Sequence, residues 1–173
     1  MHNKPEDVLA AVGEEVFEDL AFVLVMPDDG SVEHDDCADS PDWVARIHFQ
    51  GPFAGTLFLR VSEDLAPMIA ENMLGLEDGE TPTSEQISDA FKELLNVICG
   101  NLLPRLVGDE PVFAVNGLDI LQEPSIPDAF EGRPPVATAA FSLEIGRAEL
   151  ALFTEQGCLA SMNQLEATTG ASS

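Results

Sequence analysis

The run Asp89-Ala90-Phe91-Lys92-Glu93-Leu94-Leu95-Asn96-Val97-Ile98-Cys99-Gly100-Asn101 decides how this chain is read. At about 100° per residue, Ile87, Phe91, Leu94, Ile98 and Leu102 fall within one arc, which predicts an amphipathic helix with one buried face. Asp89, Glu93, Asn96 and Gly100 gather on a stripe nearly opposite, pointing away from the core. Glu93 and Asn96 stand one helical turn apart on the same side. A carboxylate there can hold a cationic group of a partner. An amide beside it can donate and accept hydrogen bonds, and so orient a water. Gly100 costs such a helix about 1 kcal/mol relative to alanine. Its presence is explained if another backbone must approach closely. On spacing alone, the same stripe also fits an ordinary solvated helix face.

Working outward, Thr83 and Gln86 form a Thr-x-x-Gln capping box that starts this helix. Pro104 and Gly108 work against continuation, so it should run to about Leu103. Upstream, Trp43, Ala45, Ile47 and Phe49 alternate with Val44, Arg46, His48 and Gln50. After Gly51-Pro52, residues 53–61 alternate again, giving a strand, a turn and a strand. Val8, Val12, Val16, Leu20 and Val23 form one stripe, which predicts a helix over about 5–25, with Pro5 in its first turn. Another helix is expected over 64–74, with Pro67 in its first turn and Gly75 as its stop. Segments 111–121, 136–144 and 147–154 read as strands, the last two joined by a tight turn at Ile145-Gly146.

The order helix, hairpin, helix, helix, strands predicts an α+β domain in which long helices pack on an antiparallel sheet. Helix followed by strands occurs twice, at 5–61 and 83–154, so two pseudo-twofold halves are expected. Residues 1–166 form the single domain of this reading, and 167–173 a short polar tail.

The bulk numbers exclude several function classes. The chain has 173 residues, 45% of them hydrophobic, with a mean hydropathy of +0.07. That is a globular composition with room for one sizeable core. Thirty-two acidic and 7 basic residues give a net charge of −25. Nucleic-acid binding and an anionic membrane surface both need clustered Lys and Arg, so neither is expected. The start lacks the apolar core of a signal peptide, and the longest apolar run, Leu20 to Met26, cannot span a bilayer. Cys37, Cys99 and Cys158 are odd in number and widely spaced, which fits a reducing cytoplasm better than a disulfide framework.

Other constellations carry less. His34, Asp35, Asp36 and Cys37 are metal-ligand types within an acidic loop over 27–42, but neighbours in sequence rarely converge on one ion. No metal or cofactor of its own is expected. Walker A, Gly-x-Ser-x-Gly and Gly-x-Gly-x-x-Gly patterns do not occur. Glu14, Glu15, Glu18 and Asp19 read as a solvated helix face.

The Glu93-Leu94-Leu95-Asn96 run, continued by Val97-Ile98-Cys99-Gly100-Asn101, resembles the signature helix of the CheC/CheX/FliY family of chemotaxis phosphatases. Residues Gly51 through Gly75 are similar more weakly. Members of the CheC type usually carry two Glu-x-x-Asn helices. The first helix here has no asparagine, which resembles the CheX branch with one active helix. Leu95 and Leu102 are bulkier than the small residues of that signature, and Lys92 sits beside the acid.

The resemblance implies a CheC-like fold and a phosphatase acting on the aspartyl-phosphate of a CheY-like response-regulator receiver. It implies that Glu93 pairs with a receiver lysine and that Asn96 holds the attacking water. Asp89 and Gly100 would lie in the docking surface. The receiver would bring its own Mg²⁺, and a homodimer paired through its sheets is compatible with the family. A non-catalytic receiver-binding module of the same fold is the alternative.

Overall fold

The computed structural model describes residues 4–26, 42–121 and 125–155. The acidic loop with His34 to Cys37 and the expected tail from 167 fall outside these residues.

Among the described residues, six strands make one antiparallel sheet. They are β1 (Val25–Met26), β2 (Trp43–Gln50), β3 (Ala54–Val61), β4 (Ala114–Leu121), β5 (Ala137–Leu143) and β6 (Arg147–Thr154). The spatial order is β1-β5-β6-β3-β2-β4. Three helices accompany them among the described residues: α1 (Pro5–Asp19), α2 (Leu65–Leu74) and α3 (Ser84–Val107).

The strand order reads the same from either end when β1, β2 and β3 are exchanged for β4, β5 and β6. The two halves α1-β1-β2-β3 and α3-β4-β5-β6 are thus related by a pseudo-twofold axis between β3 and β6. Each half lends its edge strand to the other: β1 pairs with β5, and β4 pairs with β2. The expected α+β architecture with two helix-strand halves is the one observed.

Alternation along the strands sorts side chains to two faces. Ala45, Ile47, Leu57, Leu59, Phe141 and Leu150 meet Leu9, Phe17, Phe91 and Leu94 of the helices in the main core. On the opposite face Val44, Phe58, Ala151 and Phe153 form a smaller cluster, packed against Leu121, Ile126 and Phe130. The connection after β4 covers that second face, and Phe130 stacks edge-on against Phe58 with ring centroids 5.4 Å apart.

Two helix ends differ from the expectation. α1 stops at Asp19 and not near 25. Phe22 adopts a left-handed backbone with φ of +52°, and Val25–Met26 turn away to pair with Leu143 and Ser142. Asn72 on α2 donates to the Ala21 carbonyl at 2.9 Å, holding the chain at this break. Val23 stays buried, so the apolar stripe was real, but its last member belongs to the turn. α3 runs past Leu103 to Val107, with Pro104 inside it. Gly75 ends α2 in the left-handed conformation at φ of +63°, as its position predicted.

Candidate functional site

α3 begins at the capping box. Gln86 N–H donates to Thr83 Oγ1 at 3.2 Å, and Thr83 N–H donates to Gln86 Oε1 at 2.9 Å. Two otherwise unpaired donors of the first turn are thereby satisfied. The helix is then fixed by burial. Phe91, Leu94, Leu95, Ile98, Cys99 and Leu102 are fully buried. Trp43 on β2 meets Phe91 edge-on at 6.2 Å between ring centroids. On its flank, Arg105 Nη2 lies 2.6 Å from Glu15 Oε2 of α1.

The buried arc is wider than the periodicity predicted, for it takes in Ala90, Leu95, Cys99 and Leu103 as well. Leu95 and Leu102, the bulky departures from the family signature, therefore fill the core and leave the outer face untouched. Ile87 is only half-buried. Burial pushes the Cys99 thiol up to about 12, because removal from water disfavours the thiolate. A neutral, buried thiol is no nucleophile.

Asp89, Glu93, Asn96 and Gly100 are all exposed, on one stripe of α3 that faces away from the sheet. Neither Glu93 nor Asn96 makes a side-chain hydrogen bond or ion pair among the described residues. Lys92 is half-buried beside them. A Cβ added at Gly100 would meet nothing within 4 Å, so the surface over this residue is open. Asn101 turns back on its own helix, its Nδ2 donating to the Val97 carbonyl at 2.9 Å. The arrangement is an acid and an amide, both without a partner among the described residues, on a rod whose opposite side is locked into the core. It holds no activated nucleophile.

A cavity of about 240 Å³ lies on the other face of the sheet, lined among others by His48, Thr56, Asn116, Phe130 and Arg133. His48 Nδ1 and Thr56 Oγ1 are 2.7 Å apart there. The sheet separates these groups from α3, so they take no part in the Glu93–Asn96 site. Alternation along β2 sets His48 on the face opposite Ile47 and Phe49, but nothing in the sequence marks this hollow. Its roof is the irregular connection around Phe130, which has no periodic signal.

The model of the family described as chemotaxis phosphatase CheX matches residues 43–130, which include the whole exposed stripe of α3. The chain belongs to the CheX family. Solved structures agree on the fold. The chemotaxis protein CheX from Vibrio vulnificus superposes with a TM-score of 0.66 at 18% identity, over 90% of this chain and 99% of that one. CheX from Desulfovibrio desulfuricans gives 0.67 at 17% identity, over 88% of this chain and 100% of that one. CheX in a CheX–CheY–BeF₃–Mg²⁺ complex from Borrelia burgdorferi gives 0.63 at 17% identity, over 90% and 100%. No curated protein matches by sequence. This CheX-family chain is accordingly a chemotaxis phosphatase with the open six-stranded sheet and helices of its structural neighbours. Among the described residues no helix is long and apolar enough to cross a membrane.

Proposed function

We propose that this CheX-family phosphatase hydrolyses the aspartyl-phosphate of a CheY-like receiver domain, with Glu93 and Asn96 as its two working residues. In this reading Glu93 docks a receiver lysine. Asn96 reaches into the receiver's site and holds a water in line with the phosphorus. The water oxygen forms the new bond to phosphorus as the bond to the aspartyl oxygen breaks. The products are inorganic phosphate and a free receiver carboxylate. The receiver brings the Mg²⁺ that neutralises charge on the phosphoryl oxygens.

The phosphoryl transition state is loose, so positioning and charge stabilisation are what a protein must supply. An exposed amide on a rigid helix supplies position, and no activated nucleophile is needed. The observation that carries the reading is the freedom of Glu93 and Asn96: both are exposed, one turn apart, with no internal partner among the described residues. The Borrelia CheX bound to CheY with a phosphate-mimicking fluoride supports the choice of partner class.

The test is the decay of a phosphorylated receiver with and without this protein. Acceleration by the wild type that Asn96→Ala abolishes is the expected result. Decay unchanged by the wild type would overturn the enzymatic reading in favour of a receiver-binding module.

A further inference from the structure

The exposed stripe of α3 does not end at Asn96. It continues through Gly100 to Pro104, both exposed. Pro104 lies inside the helix, which carries on beyond it: Gly108 N–H donates to the Pro104 carbonyl at 2.8 Å. A prolyl nitrogen bears no hydrogen, so it cannot close the bond to the carbonyl four residues back. That carbonyl belongs to Gly100. The proline ring also crowds the place the carbonyl holds in a straight helix. Over the same residue there is open space, with nothing within 4 Å of an added Cβ. Missing side chain and missing N–H thus act on one backbone unit of the docking stripe.

We propose that the Gly100 carbonyl oxygen is a hydrogen-bond acceptor for the docked receiver domain, taking an N–H or O–H donor about one turn along α3 from Asn96. The inference rests on the receiver-phosphatase reading and adds a second anchor to it. The absent Cβ lets partner main chain approach the helix surface. Pro104 keeps the oxygen free of the ordinary helical bond. A carbonyl left this way is solvated in the free protein, but covered by a partner it needs a donor, since a buried acceptor without one is costly. The amide of neighbouring Asn101 is already engaged with Val97 and does not compete for this position.

Pro104→Ala is the decisive variant, because it restores the N–H and lets the helix close on Gly100. Steady-state dephosphorylation of a receiver charged with acetyl phosphate should show KM raised about three- to tenfold, the worth of one neutral hydrogen bond. kcat should be unchanged, and the thermal midpoint equal or higher. Gly100→Ala should also raise KM without loss of stability. In ¹³C-labelled protein, the Gly100 carbonyl resonance should move on addition of beryllofluoride-activated receiver.

An active wild type with unchanged KM in Pro104→Ala overturns this assignment and leaves the phosphatase reading standing. A fall in kcat alone also overturns it, since that marks a straightened helix displacing Asn96. Should the wild type show no phosphatase activity, the carbonyl resonance still decides. A shift upholds the contact apart from catalysis, and none removes it.

Discussion

Gly13 of α1 lies flat against the ring of Phe141 on β5, so close that an added methyl group would overlap the ring edge and press on Leu150. Both neighbours are buried. Gly13→Ala is therefore expected to destabilise the fold by about 1–3 kcal/mol through overpacking, despite alanine's better helix propensity. Urea unfolding of the variant measures it; an unchanged midpoint would mean that the Phe141 ring can move aside.

The glycine of α3 should behave in the opposite way. Gly100 meets nothing, so Gly100→Ala should stabilise the isolated protein by about 0.5–1 kcal/mol, the propensity gain alone. A loss of stability would indicate that the residue serves the fold and not the surface.

On the proposed mechanism, Asn96→Ala is expected to lower the dephosphorylation rate by about 10²-fold or more, because the in-line water would lose its orientation. Its unfolding free energy should stay within about 0.5 kcal/mol of wild type, as for other exposed positions. Glu93→Gln should instead act mainly on KM, since it removes the charge proposed to meet a receiver lysine. Parallel kinetics and denaturation separate the two effects.

Cys99 sets an alkaline limit on the fold. Its thiol is raised from 9.0 to about 12 by burial, so the folded state holds this proton more tightly than the unfolded one. Below about pH 9 both states are protonated and nothing is lost. Above that only the unfolded chain ionises, and stability should fall by about 1.4 kcal/mol per pH unit until the folded thiol titrates too. The chain has no tyrosine to confuse the reading. Unfolding midpoints from about pH 8 to 11 should flatten in Cys99→Ala relative to wild type. Parallel pH profiles would rule the thiol out as the cause.

The net charge of −25 acts on encounter. Approach to an acidic receiver is slowed by repulsion that salt screens, so kcat/KM should rise as ionic strength increases from about 0.01 to 0.15 M. A monotonic fall would point to a basic docking partner.

The outer stripe of α3 was legible because the helical period alone sorts Glu93 and Asn96 from Phe91 and Leu94. The paired halves were legible in element order, since a helix followed by strands recurs. The end of α1 was not. Leu20 and Val23 continue the apolar spacing, and only the pairing of Val25 with Leu143 and the reach of Asn72 to Ala21 show where the helix yields. Those are tertiary events without a local signal. Helix α3 outran its expected end for a related reason: burial of Val107 and the bond from Gly108 to Pro104 carry it past the proline. The hollow beneath Phe130 depends on a connection with no period to read.

The central ladder carries a consequence for how the chain matures. It joins β3 to β6, pairing Gly55 with Thr154 and Val61 with Ala148. Strand β6 also holds β5, so it is the seam between the halves. On a ribosome, β2, β3 and α3 emerge long before that seam is made. Their loop must close over a large stretch of chain before the contacts reward it, which slows folding. A chain cut short of β6 would leave two sheet fragments with open edges. The exposed stripe of α3 is thus expected to become rigid only once β6 has been made, a built-in delay between making the helix and fixing it in place.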